Sequence, residues 1–217
     1  MSLFRRRDRQ PRPAAPDLAP EPKIDERGWE AITAAVALRY PGAEDFHVAY
    51  PPGVHFGSAL QGCSALAGAD HWFYVSYGLT ELWTKQSDDP TTSGYGFELT
   101  IRVPRTPEQD APPQWPYGLV VHLAEYVRGG PQPLWIGDRV RLGGPVIGGP
   151  DSALTTVTVT PDVEVLPIDT PNGRVELWQL VGLTDAEVAA AQESSTADVL
   201  AAMARSNPLL ITDPDRS

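Results

Sequence analysis

The sequence predicts an α+β domain: a mixed, largely antiparallel sheet with packed helices. Three features carry that prediction. Phe97, Leu99, Ile101 and Val103 alternate with Glu98, Thr100 and Arg102, a strand period of two. Trp29, Ile32, Val36 and Tyr40, and later Trp115, Leu119, Leu123 and Tyr126, recur at helical spacing. Strands and helices then follow one another without the regular βαβ rhythm that a doubly wound parallel sheet needs.

Taken in order, the first helix starts near Asp25, a candidate N-cap, and stops at Pro41 and Gly42. Phe46 to Tyr50 reads as a short strand ahead of Pro51, Pro52 and Gly53. Trp72 to Tyr77 is an aromatic and β-branched run suited to a buried strand. The alternating run at 97–103 predicts a strand with one buried face, Trp72, Phe97 and Leu99 being core residues. Trp115 opens the second long helix, which Gly129 and Gly130 end. Val157 with Val159, and Val163 with Val165, predict two short strands around Pro161. Pro171-Asn172-Gly173 is a turn leading into a strand from Arg174 to Val181, hence a hairpin. Thr184 with Glu187, and Ser195 with Asp198, are capping pairs that start two further helices, ahead of a last apolar segment at Leu209 to Ile211.

Residues 1–24 hold five prolines among arginine, alanine and acidic residues, and read as a disordered tail before a domain spanning 25–217. The tail carries net +3 within a chain of net −11, which leaves −14 on the domain. Such a domain is repelled by phosphate backbones, so its expected counterpart is a basic protein and not nucleic acid. With no apolar run near twenty residues, no membrane partner is expected. A single cysteine, Cys63, excludes an internal disulfide and points to a reducing compartment. The N-terminal arginines precede proline and charge instead of an apolar stretch, so the expected location is cytoplasmic.

Two blocks carry a family resemblance. His71-Trp72-Phe73-Tyr74-Val75-Ser76-Tyr77-Gly78-Leu79-Thr80-Glu81-Leu82 and Ser93-Gly94-Tyr95-Gly96-Phe97-Glu98-Leu99-Thr100-Ile101-Arg102 resemble signature segments of the suppressor of fused (SUFU) family. Pro112-Pro113-Gln114-Trp115-Pro116, Gly137-Asp138, Thr170 to Gly173, Gln179 to Gly182 and Leu210 to Asp213 follow in family order, so the resemblance runs from about 26 to 216. Pro214 and Asp215 precede Arg216, a departure from the family ending. The chain lacks the additional C-terminal region of animal members and so resembles the single-domain bacterial form. The resemblance implies a SUFU-like fold and protein binding: animal members restrain a transcription factor, and bacterial members are thought to include immunity proteins that neutralise toxins.

The candidate interface has two parts. Trp83 stands directly before a polar loop containing Asp88 and Asp89, which joins large contact area to charge. Glu98 and Arg102 share the polar face of one strand, as an ion-pair ladder or, with Glu81, as a face that recognises a ligand. The competing expectation is a small-molecule or enzymatic cleft around Glu81, Glu98 and Arg102. Catalysis by His71, Ser76 and Glu81 is not expected, because a strand sets positions 71 and 81 too far apart to share a proton and Ser76 lacks a nucleophile elbow. No metal or cofactor is expected either: His47, His55, His71 and His122 lie in four segments without ligand spacing among themselves or to Asp88 and Asp89. The reading is therefore a non-catalytic protein-binding module of the immunity type, with a basic toxin as partner.

Overall fold

In the computed structural model the described residues are 25–50, 59–130, 132–149 and 151–217. The expected tail, His55 and Pro51 to Gly53 fall outside them. Twelve elements follow in the described residues: α1 (Arg27–Arg39), β1 (Asp45–Ala49), β2 (Gly62–Ala67), β3 (His71–Tyr77), β4 (Thr92–Pro104), α2 (Trp115–Gly129), β5 (Arg139–Arg141), β6 (Leu154–Pro161), β7 (Ile168–Thr170), β8 (Gly173–Thr184), α3 (Asp185–Glu193) and α4 (Thr196–Met203). The strands form one sheet in the order β1-β2-β3-β4-β8-β6-β5, with β7 also paired to β8. Only β4 and β8 run parallel, Leu99 lying opposite Trp178; the other pairs are antiparallel. The sheet is mixed and largely antiparallel, as the strand pattern predicts.

Pleating sends alternate side chains of β3, β4 and β8 to opposite layers. Trp72, Tyr74, Leu99, Ile101 and Leu180 pack under α2 through Val120, Leu123 and Ala124. Phe73, Val75, Tyr77, Val175 and Leu177 meet Ile32, Val36 and Tyr40 of α1. Further along β8, Val181 packs with Leu200 and Leu210, and Leu183 with Ala191 and Val199. Trp72, Phe97 and Leu99 are core residues as expected.

Three local expectations change. The alternating strand β4 has two buried faces, for Glu98, Thr100 and Arg102 are as inaccessible as the apolar residues between them. Val163 and Val165 form no strand, because the Asp162 carboxylate accepts hydrogen bonds from the backbone N–H of Glu164 and Val165 and turns the chain there. The residue flanking α1 is Glu26; Asp25 accepts instead from the backbone and guanidinium of Arg27. Both C-terminal caps form: Thr184 and Glu187 make a reciprocal capping box, and Ser195 accepts from Asp198 N–H.

Candidate protein-binding surface

The connection from β3 to β4 is built outward from a buried carboxylate. Glu98 is fully buried in β4 and accepts from Ser76 Oγ, from the backbone N–H of Gly78 and Thr80 at 2.9 Å each, and from Thr80 Oγ1 at 2.7 Å. Burial pushes its carboxyl up, against the pull of these donors. The loop can turn so sharply at each end because Gly78 and Gly94 sit at φ 134° and 53°, where a Cβ would strike backbone.

Glu81 organises the next layer. One carboxylate oxygen accepts from Gln86 and Ser87 N–H at 2.6 Å each, and the other from Lys85 Nζ at 2.8 Å and Gly94 N–H at 3.3 Å. Burial raises its pKa, but Lys85 and these backbone donors outweigh that and hold it down at about 2. From the β7–β8 turn, the buried Asn172 side-chain amide donates to the carbonyls of Glu81 (2.6 Å) and Trp83 (2.9 Å), and Trp29 N–H donates to the Leu82 carbonyl.

On this base sits an aromatic stack. Trp29 lies flat on Tyr77 at 4.2 Å, Trp83 packs against Trp29 at 5.9 Å, and His47 meets Trp29 edge-on. The Trp83 indole donates to Gln61 at 2.6 Å and remains half-buried. Beyond it Asp88 and Asp89 are exposed; the Asp89 carboxylate accepts from the hydroxyl and N–H of Thr91, which holds it down at about 2. The structure thus stacks Trp83 on Trp29, leaves Asp88 and Asp89 exposed further along the same loop, and makes Glu81 the tie that holds that loop.

Arg102 belongs elsewhere. Its guanidinium grips Asp162 with both terminal nitrogens at 2.9 Å, reaches Glu164 through Nε and Nη2, donates to Gln179, and lies over the Phe73 ring. All five N–H groups are thereby used. Asp162 and Glu164 are both shifted down: burial raises each, and Arg102 on Asp162, with Arg39 and Arg102 on Glu164, overcomes it. Glu98 and Arg102 therefore form no ladder and share no cleft with Glu81. Each is buried, each has different partners, and neither can touch a docking molecule.

The enzymatic set is likewise dispersed, with Ser76 donating to Glu98 while His71 lies between Tyr40 and Asp70. Among the described residues no three His, Cys, Asp or Glu side chains gather as metal ligands, and no helix is long and apolar enough to cross a membrane. Cys63 is buried, which pushes its thiol far up. Arg216, despite its shifted position, closes on Glu187 and donates to the Gly182 carbonyl.

Fold and site define a class: an α+β scaffold domain whose buried polar side chains hold its loops in place. The family model described as suppressor of fused protein (SUFU) matches residues 57–217. The human and mouse Suppressor of fused homologs are each 34% identical over 158 residues, covering 68% of this chain and 32% of theirs; the chain spans about a third of the length of these curated relatives. The Drosophila Suppressor of Fused superposes with a TM-score of 0.81 at 26% identity, over 92% of this chain and 53% of that one. A chain of the Sufu–Fu complex gives 0.79 at 26%, over 89% and 92%. A SUFU homolog from Neisseria gonorrhoeae gives 0.60 at 15%, over 87% and 94%, a likeness of fold. This chain belongs to the suppressor of fused family.

Proposed function

We propose that this domain is a non-catalytic protein-binding module whose partner seats on the Trp29–Trp83 stack and the Asp88–Asp89 loop. One observation carries the reading: the loop is pinned by Glu98, Glu81 and Asn172, yet along its length it carries a half-buried indole at Trp83 and two exposed carboxylates at Asp88 and Asp89. Rigid aromatic area next to charge is the composition of interface anchors, and a pre-formed loop loses little entropy on docking. The related chain in the Sufu–Fu complex shows this fold in a protein assembly. With −14 on residues 25–217, the partner class that fits is a cationic protein. A toxin domain that binds phosphate is the concrete candidate, which makes this chain its cytoplasmic immunity protein. The test is comparative affinity capture from the native cell with wild type and Asp88→Lys. A cationic protein retained by wild type and lost by the variant supports the proposal; identical captured sets overturn it.

A further inference from the structure

The turn that pins the β3–β4 connection is made from a chemically reactive pair. The chain uses asparagine twice in 217 residues, at 172 and 207, and each amide donates to backbone carbonyls. Asn172 Nδ2 spans the carbonyls of Glu81 and Trp83 at 2.6 and 2.9 Å, which calls for two N–H donors on a short stem. An aspartate there would offer acceptors to acceptors. The next residue is fixed as firmly: Gly173 has φ 109°, and a Cβ on it would meet the Thr92 backbone at 2.7 Å and Ser93 N at 2.9 Å, so only glycine fits. The loop contact dictates Asn, the packing against β4 dictates Gly, and the fold thereby sets Asn-Gly at its hairpin turn.

Asparagine before glycine is open to attack by its own backbone, because no Cβ shields the following nitrogen. In that reaction the Gly173 amide nitrogen bonds to Asn172 Cγ, the Cγ–Nδ2 bond breaks, and Nδ2 leaves as ammonia with the Gly173 N–H proton. Water then opens the cyclic imide at either carbonyl, giving aspartate or isoaspartate. The folded turn opposes the first step. The Asn172 amide is drawn across to the β3–β4 connection by its two bonds, while its backbone N–H donates to Thr170 Oγ1 at 3.1 Å. Thr170 Oγ1 in turn donates to the Gly173 carbonyl at 2.7 Å, and Arg174 N–H donates to the Thr91 carbonyl at 2.8 Å. To bring Cγ onto the Gly173 nitrogen, the amide must let go of both carbonyls and the turn must rotate. Asn207 is an internal control: it precedes Pro208, whose nitrogen has no proton to give up.

We propose that Asn172 is a latent self-modification site, locked while the β3–β4 connection is docked and converted to aspartate or isoaspartate when that connection lifts from the β7–β8 turn. The conversion is one-way. A carboxylate in place of the amide faces the Glu81 and Trp83 carbonyls as acceptor against acceptor, which leaves buried polar atoms unpaired. Isoaspartate also lengthens the backbone beside Gly173, where there is no spare room. The connection then cannot seat as before, so the chain keeps a covalent record of the time its loop has spent open. The reaction needs water and no partner protein, and is therefore independent of what docks on Trp83.

The experiment incubates the full chain in mildly alkaline buffer, folded and in urea, and follows the peptides holding residues 172 and 207 by mass spectrometry, with isoaspartate resolved by chromatography. Conversion at Asn172 should be at least about tenfold slower in the folded chain than in urea, since only the open turn reacts, and Asn207 should stay intact in both. Glu81→Gln and Thr170→Val loosen the contact from its two sides without touching the reacting atoms, and melting curves check the fold of each. Glu81→Gln should speed conversion in the folded chain by about tenfold, through the lost charge-assisted bonds to Gln86 and Ser87, and Thr170→Val by several-fold. In the purified product the Gln86 and Ser87 amide and Trp83 indole resonances should shift, while those of Val120 and Leu123 in α2 stay in place. Equal rates in folded and unfolded chain, no conversion in urea, wild-type rates in both variants, or a converted product with unshifted loop resonances would overturn the proposal.

Discussion

Arg102 has no exposed atom, and five N–H groups directed at two carboxylates and an amide leave it nothing to offer a partner. Its work is internal: Asp162, once gripped, turns residues 162–165 and accepts from Thr100 Oγ1, and Arg102's own carbonyl takes the N–H of Thr212. Removing one member of such a buried set strands the others, so Arg102→Met should cost about 3–5 kcal/mol in urea unfolding. Arg102→Lys should recover little, because an ammonium cannot reproduce the planar fork. A loss below about 1 kcal/mol in Arg102→Met would contradict the assignment. Glu81 makes a different prediction. Its folded pKa of about 2 lies below the ordinary 4.5, so its contribution to loop order is complete above 4.5 and is lost as pH falls from there toward 2. The Gln86 and Ser87 amide resonances should therefore titrate with a midpoint near 2, and a midpoint near 4.5 would show that the carboxylate does not hold the loop.

At the scale of elements, β4 supports both sheet faces. Leu99, opposite Trp178 and without exposed surface, should cost about 2–5 kcal/mol as Leu99→Ala, read by urea unfolding; near-native stability would place it outside the core. Thr184 ends β8 and starts α3, so Thr184→Ala should cost about 1 kcal/mol through the lost cap, and an unchanged midpoint would deny the capping box a role. Elements with a strong period or a specific terminal pair were legible in sequence: the α2 stripe, β3, both caps and the Pro171-Asn172-Gly173 turn. β2, Gly-Cys-Ser-Ala-Leu-Ala, has small residues on both faces and no alternation to read. β5 is three residues long, below the reach of any period. The covered face of β4 was hidden for another reason. Alternation reports that every second residue is polar, and it reads the same whether those residues face water or a carboxylate brought from 62 residues away. For the site, Trp83, Asp88 and Asp89 stood out by local composition, whereas Trp29 read only as a helix-core position and Asn172 only as a turn residue. Their joining to the loop is a contact across 89 positions that no local pattern encodes.

Over the whole molecule, charge and rigidity divide the binding problem into two rates. A net −14 outside residues 1–24 acts at long range and raises encounter with a cationic protein, an effect that salt screens over about 8–10 Å. The Trp29–Trp83 stack acts only on contact, where buried aromatic area slows escape. The two therefore separate by mutation. Asp88 is the cleaner charge probe, because Asp89 also caps Thr91 and its replacement loosens the turn. Asp88→Lys should slow association with the captured partner at low salt, with the difference shrinking at high salt, and should leave dissociation nearly unchanged. Trp83→Ala should do the reverse, speeding dissociation by roughly 30-fold, the equivalent of about 2 kcal/mol for a central anchor, with association little altered. Surface plasmon resonance at two ionic strengths reads both, and melting curves of each variant confirm that the fold is intact. If both rate constants stay at wild-type values in both variants, the partner does not sit on this loop. Tyr95 and Trp135, the exposed large aromatic side chains among the described residues, are then the ones to mutate next.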